Sequence, residues 1–513
     1  MDQFNSTLKY FEFNENGENI YFYYGTQFGS YLGYQAQLPS IIAEYRFDDK
    51  KDIENYLEYL KTTQLDFEAL FTFEKAKMEK GEGNQMTDYV IDLVIGQCDA
   101  FIDSTEENYL ITAFNERIGS YDFLTSEEVE KYKELNTQYV NEYFVEAYKW
   151  LKERMLELKE MNDDTKKGSL SETETGKKYY EVLFQDKCGS DLTIPELIEY
   201  IDAKLAEYDE LAQIYTAYDG NLMVDANLIK YKETGELDYY GSLYSIIPFL
   251  QEKFKEDFPE LPEEFILGEN IAIKEISDAL KDNSSPAFYL VSPMDDNIDE
   301  VIYINPKDFS EVGTYMFTTI AHEAWPGHLY QNVYFKNNKS HDIRMVMSYT
   351  GYSEGWANYI ENYVAKYVLD DYAAQQMFLL NAISSLSSCR IDIGVNYEGW
   401  GIEQIIEQYG LTMDDVNSGR YTWSDGDIVS IDDFEEIYYF YVEVPTNYLM
   451  YFFSCAQLMD IKAEFKEKMG VYYSEKLFHT IYLETGDASW PIIKKVYDDY
   501  AAKWGTNGTA YAN

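Results

Sequence analysis

Two histidines six residues apart, with a Pro-Gly pair between them, place the strongest constraint on how this chain can fold. Residues 318–331 read TTIAHEAWPGHLYQ, and His322 and His328 are two of only four histidines among 513 residues. A regular helix turns about 100° per residue, so positions i and i+6 point roughly 120° apart and cannot share a ligand. Pro326 removes a backbone donor and clashes with the carbonyl four residues back, which ends or kinks a helix. Gly327 permits the positive φ of a tight C-terminal turn. The stretch therefore predicts one helix running to about Trp325, a sharp turn, and a second helix starting near His328 that returns both imidazoles to one face.

Those residue types serve one chemistry well. Catalytic zinc takes three protein ligands, often two imidazoles and a carboxylate, and keeps a fourth position for water. A carboxylate outside the ligand set accepts the proton as that water attacks a carbonyl. Glu323 directly follows His322, as the Glu of an HExxH motif follows its first His. Glu354, 26 residues beyond His328 in the stretch SEGWANYIE (353–361), is the natural third ligand. Glu361, seven residues on and on the same helical face, is a second candidate ligand or a carboxylate that orients an imidazole. Trp325 and Trp356 read as packing residues that shield the site from water, and His341 and His479 as packed, hydrogen-bonded histidines.

Most of the remaining chain reads as helical. Apolar residues recur at three- and four-residue spacings over 53–70, 86–102, 126–159 and 194–215, and the pattern resumes over 222–255, 370–388, 402–409 and 433–468. Helix-start chemistry stands at Ser126-Glu127-Glu128 and at Thr193-Ile194-Pro195-Glu196. Short β-rich runs at 287–291 and 301–304 predict a small sheet, an edge of which could hold an extended peptide. Residues 162–178 are polar and aperiodic, a surface loop. Phe258-Pro259 and Leu261-Pro262 mark the best boundary, between a helical region 1–265 and a catalytic region 266–513. Asp425, Asp427, Asp433 and Glu436 match four positions of an EF-hand loop, but Val429 and Ser430 spoil the fifth and sixth, so a solvated acidic loop is the better reading.

Charge and cysteine usage narrow the partners. Lys and Arg total 41 against 93 Asp and Glu, a net charge of −52, which argues against nucleic acid and anionic membrane surfaces. Hydrophobic residues at 46% supply ample core. Cys98, Cys188, Cys389 and Cys455 lack metal-ligand spacing and read as buried thiols. No run reaches the roughly 18 apolar residues of a membrane helix, and no signal peptide opens the sequence.

HEAWPGH resembles the HExxPGH signature, and SEGWANYIE the EGWA helix, of a large bacterial family of zinc-metallopeptidase-like proteins catalogued as domain of unknown function 885. AFYLVSP and YINP (287–306) resemble its strands before the HE helix, GVNYEGW (394–400) its GxHxxGW element, VPTNYLMY (444–451) its PGQALSY element and FHTIYLETG (478–486) its FHDxVLxxG element. Weaker similarity reaches back to about residue 35. The resemblance implies a mainly α, large helical, gluzincin-like metallopeptidase architecture with a small β-sheet beside the active site. It implies an N-terminal half packed over a catalytic half, Zn2+ on His322, His328 and Glu354, and peptide substrates. It also raises Tyr441 and Tyr451 from packing tyrosines to candidates for stabilising the reacting carbonyl oxygen. Two positions depart from the family pattern: Asn396, a third catalytic candidate for donating to that oxygen, stands where a His is usual, and PGQ is here Pro445-Thr446-Asn447. Many relatives look like secreted lipoproteins, which implies an extracytoplasmic, cell-surface location with a lipid anchor outside this sequence.

The function expected from these residues is zinc-dependent hydrolysis of short or unfolded peptides, with Glu323 as general base. Two readings from other classes stand beside it. One is a peptide- or solute-binding surface protein that keeps the fold without catalysis, to which the Asn396 and Thr446 departures point. The other is a metal hydrolase of different amides or esters. An enzyme that reads a free peptide C-terminus needs a cationic anchor, and Arg390 is the candidate in the sequence, with a structural ion pair as its alternative fate.

Overall fold

Capping chemistry sets most of the helix starts. Asp49, Thr125 and Thr193 each accept a backbone N–H, and an acid at the third helical position closes the box at Lys50–Lys80, Ser126–Tyr139 and Ile194–Ala212. The computed structural model describes residues 2–103, 108–162, 168–215, 228–235, 237–261, 265–276, 285–292, 300–305, 313–338, 341–423 and 426–506. Across them the fold is mainly α, with a two-stranded and a three-stranded sheet.

Several expected elements take a different form. The helix over 126–159 passes through a π turn, Val140–Phe144, before Val145–Met161. The surface loop ends early, because Thr173 caps a helix at Glu174–Cys188. The helix expected from 222 starts only at Tyr239: Lys230–Tyr231 and Leu237–Asp238 pair as a hairpin, with Gly235 at positive φ in the turn, and residues 222–227 lie outside the described residues. Pro262, Pro293 and Pro306 also lie outside them.

Both expected strands exist. Ala287–Leu290 and Glu300–Ile304 pair antiparallel, and Ile271–Glu275, which the sequence reading missed, joins the other side of Glu300–Ile304 in parallel. The order leaves Ala287–Leu290 on an edge, against the helix Gly313–Glu323.

The apolar core does not divide at residue 265. One cluster draws on residues from Leu170 to Ala501, and Phe258 and Phe265 pack within it against Trp356 and Trp325. A second cluster runs from Phe28 to Leu158, and a third from Ile391 to Val442. The prolines near 259 end a helix, but the adjoining Phe side chains anchor the chain in the core that surrounds the motif helices. The N-terminal region meets later parts of the chain at polar contacts: Glu443 accepts from the Ser30 N–H and hydroxyl, and the Tyr303 hydroxyl donates to Glu44. All four cysteines are buried free thiols, as their surroundings implied.

The motif turn forms as expected, for a different reason. Gly313–Glu323 ends, a cis Trp325-Pro326 bond follows, and His328–Asn338 begins. Gly327 does not take a positive φ. Instead, a Cβ at that residue would sit 1.7 Å from the His322 carbonyl oxygen, so the position is closed to any side chain. The second motif helix, Thr350–Val364, pins the turn, since Trp356 Nε1 donates to the Pro326 carbonyl at 2.9 Å. Gly355 lets this helix meet Ser454–Met469, where a Cβ would lie 2.6 Å from that of Ser454.

Candidate metal centre

The break between the two helices leaves His322 in the last turn of one and His328 at the first residue of the next. Their rings meet edge to face, with centroids 4.7 Å apart. Glu354, one turn into its helix, reaches both: its Oε2 lies 3.3 Å from His328 Nε2 and 3.6 Å from His322 Nε2. Ligand atoms of all three residues fall within 4.8 Å of one another.

Neighbouring side chains fix the tautomers. His322 Nδ1 donates to Glu361 Oε1 at 2.5 Å, and the Ser353 hydroxyl, whose own hydrogen goes to Gln331 Oε1 at 3.4 Å, is left to accept from His328 Nδ1 at 3.1 Å. With both Nδ1 hydrogens engaged, the neutral imidazoles present Nε2 lone pairs to the shared space. Glu361 therefore orients a histidine, and Glu354 supplies the third donor. The buried Glu354 Oε2 has no hydrogen bond of its own. Two imidazole nitrogens and one carboxylate, converging with an unpaired buried oxygen, fit zinc. Burial opposes charge on His322, but Glu354, Glu361 and Glu323 outweigh it and raise that pKa well above the ordinary range. Burial likewise favours neutral Glu354, yet the two histidines hold its carboxyl well below the usual range. A proton and a divalent cation thus compete for the same atoms.

Glu323 stands beside this set. Its Oε2 accepts the Tyr289 N–H from the edge strand at 2.8 Å, and its Oε1 lies 3.8 Å from His322 Nε2. Burial pushes its carboxyl above the ordinary range, against the pull of the two histidines, which makes it a better proton acceptor than an exposed carboxylate. Tyr451 also reaches the centre, on a π turn at Leu449–Phe453, its ring 6.4 Å from that of His322 and 20° from parallel. Such turns redirect a side chain and recur at functional sites. Burial and the charge of Glu354 raise the Tyr451 hydroxyl pKa, so it remains a donor.

The other nominated residues lie in other networks. Asn396, fully buried, donates to Asp392 at 3.2 Å and to the Tyr441 carbonyl at 2.9 Å, and the Tyr180 hydroxyl donates to the same Asp392 oxygen. The Tyr441 hydroxyl bonds Ser388. Both side chains are engaged there and not with the ligand set, so the Asn396 departure bears on a buried polar network. Thr446 gives its N–H to Asp392 and sits at φ 70°, in the left-handed region where the Gly of PGQ rests without strain. Arg390 has the structural fate: it pairs with Asp202 at 3.2 Å and Glu398 at 2.5 Å, and stacks on Trp400. His479 is buried and neutral, donating to the Asp257 carbonyl and accepting from Tyr359, as expected, whereas His341 is exposed, at the start of a short 3-10 turn. Asp433 caps Ile431–Glu443 and accepts from Trp423, and Asp425 lies outside the described residues.

Sequence reasoning missed three contributors. Ser353 carried a signal, its place directly before Glu354. The Tyr289 N–H is backbone and carried none. The third is Arg344, which lines a cavity of about 360 Å³ beside His328, Ser353 and Glu354.

Glu361→Ala is expected to weaken zinc binding by about 10- to 100-fold, measured by competition with a chelating dye, with the fold intact by circular dichroism. Asp392 supplies a pH test away from the centre. Burial raises its carboxyl from 3.8 to about 7. The native state therefore holds a proton that the unfolded chain has released, and stability falls as pH rises from about 4 to 7. Asp392→Asn removes that loss, on the order of 4 kcal/mol when complete. The melting temperature of the variant relative to wild type should rise between pH 5 and pH 8.

Two solved structures share this architecture. A protein described as a putative lipoprotein from Colwellia psychrerythraea aligns at a TM-score of 0.75 and 16% identity, covering 96% of this chain and 84% of that one. A second, described as a putative lipoprotein of unknown function from Shewanella oneidensis, aligns at 0.53 and 15% identity, covering 90% and 81%. At such identities the likeness is one of fold. No curated protein matches the chain. Residues 4–413, which include both motif helices, match the family described as "Bacterial protein of unknown function (DUF885)", and the chain belongs to that family.

Proposed function

We propose that this protein is a zinc-dependent hydrolase that cleaves short or unfolded peptides. The observation that carries the reading is the convergence of His322 Nε2, His328 Nε2 and the unpaired Glu354 Oε2 beside Glu323, a buried carboxyl with a raised pKa. Zinc bound to those atoms supplies a Lewis acid that polarises a carbonyl and lowers the pKa of water. Glu323, held at Oε2 by the Tyr289 N–H, accepts the proton of the attacking water and delivers it to the leaving amine. The Tyr451 hydroxyl donates to the carbonyl oxygen as negative charge develops there. Glu361 and Ser353 keep both imidazoles in the tautomer that leaves Nε2 free.

Peptides are preferred over other amides because an edge strand borders the centre and can align an extended chain. One N–H of that strand is already given to Glu323, so an aligned substrate pairs on either side of Tyr289. The cavity, at the lower end of the roughly 300–1,000 Å³ of small-ligand sites, admits one or two residues and not a folded surface. The lipoprotein descriptions of the two fold neighbours support a cell-surface location.

Elemental analysis after zinc loading and dialysis should give about one zinc per chain in wild type and none in His328→Ala. Glu323→Gln should retain that zinc and lose roughly 10²- to 10⁴-fold in turnover of a mixed-peptide digest read by mass spectrometry. Hydrolysis persisting in Glu323→Gln would remove the general base assigned here. Zinc-loaded wild type that binds peptides without releasing products would support the non-catalytic binding protein.

A further inference from the structure

The cavity beside the ligands has one cationic side chain in its described wall, and that cation has no carboxylate partner. Arg344, on the 3-10 turn Asp342–Met345, donates from Nη2 to the Thr485 and Asp487 carbonyls at 2.8 and 3.0 Å and lies over the Phe335 ring. Among the described residues no carboxylate oxygen lies within 4.0 Å of it, and its Nε and Nη1 hydrogens have no acceptor. In a chain with 93 acidic residues against 41 basic ones, such an arginine is out of the ordinary. The Asp487 carboxyl lines the same cavity and feels the Arg344 charge, but it accepts the Tyr349 N–H at 2.9 Å, and the hydrogen bond from Arg344 goes to the carbonyl of that residue. Gln331 adds a second donor: the residue is buried at the cavity wall, and its Nε2, near the Tyr352 hydroxyl, makes no hydrogen bond of good geometry. Phe335, Met345 and Met347 give the remaining wall an apolar character.

We propose that Arg344 is the substrate-carboxylate anchor of this site, binding the carboxylate of the residue that occupies the cavity next to the metal ligands. The inference rests on the peptidase reading and narrows it, because a peptide then needs an anionic group within one or two residues of the bond that breaks. With Nη2 committed to two carbonyls, a carboxylate in the cavity takes a single charge-assisted hydrogen bond from Nη1 or Nε. The two carbonyl acceptors hold Nη2 in place, so little side-chain freedom is lost on binding. The anchoring role assigned by sequence to Arg390 passes to Arg344, since Arg390 already holds two carboxylates.

A free C-terminus and an acidic side chain offer the same group, and binding to a non-hydrolysing variant separates them. N-acetyl-alanyl-leucine, its amide, and N-acetyl-alanyl-glutamate amide would be titrated by calorimetry into zinc-loaded Glu323→Gln. The same titrations would follow with Arg344→Met and Arg344→Lys in that background. The free acid is expected to bind about 10- to 100-fold tighter than its amide, the advantage vanishing in Arg344→Met and returning in part in Arg344→Lys. A matching Arg344-dependent gain for the glutamate amide, without one for the free acid, would place the carboxylate on the side chain. Equal binding of acid and amide, an acid preference that survives Arg344→Met, or no binding of any probe would overturn the anchor. Zinc content and melting temperature, measured on every variant, detect a fold lost along with the Thr485 and Asp487 contacts. Digest turnover by wild type, measured separately, judges the peptidase reading whatever the anchor result.

Discussion

With no side chain at residue 327, the backbone can pass so near the His322 carbonyl that a single methyl group would collide with it. Everything at the centre follows from that passage. It closes one helix at Glu323 and opens the next at His328, and the roughly 120° that a continuous helix would place between the imidazoles disappears. The turn does not hold itself. Trp356 donates to the Pro326 carbonyl from the helix that also carries Ser353, Glu354 and Glu361. One helix thus supplies the third ligand, both partners of the histidine Nδ1 atoms and the pin on the turn, so ligand geometry and tertiary packing are a single constraint.

The electrostatics of the centre depend on the same helix. Two half-buried carboxylates around two imidazoles each have a defined partner: Glu361 accepts the His322 Nδ1 hydrogen bond, and Glu354 faces both Nε2 atoms. Glu323 is exempt from that exchange because a backbone N–H holds it from the opposite side. Its raised pKa and its freedom from the ligand set have one cause, the position of the edge strand beside its helix.

What the sequence disclosed and what it hid divide along physical lines. His322, Glu323, His328 and Glu354 were legible because a broken helix and a two-imidazole, one-carboxylate set leave a short, local pattern. The mainly helical fold was legible from periodicity and Thr193 from capping, whereas the helix start read at Ser126 has its cap one residue earlier, on Thr125. The parallel strand Ile271–Glu275 was not, since its partner, Glu300–Ile304, lies about thirty residues on and its own run is short. Asn396 and Tyr441 carried a family resemblance but no record of direction, and the fold turns them toward Asp392 and Ser388. Tyr451, ten residues from Tyr441, faces the ligands because a π turn intervenes, and a π turn has no sequence signature of its own. Gly327 was assigned to a positive φ, whereas contact distance is what excludes a side chain there.

Arg344 was hidden for a further reason, since an arginine shows whether it is free only after every acid has been placed. Of two arginines near the centre of the sequence, Arg390 is neutralised by Asp202 and Glu398, and Arg344 is held by carbonyls that leave its charge intact. The net charge of −52 would by itself disfavour an anionic substrate. At physiological ionic strength, however, exposed charges are screened within about 8 Å, and a partly buried cation is screened much less. The surface charge therefore governs the approach of a substrate, whereas the guanidinium governs which approaching peptide stays. A chain this acidic can still select a carboxylate, provided that one half-buried cation keeps donors that no acid has taken.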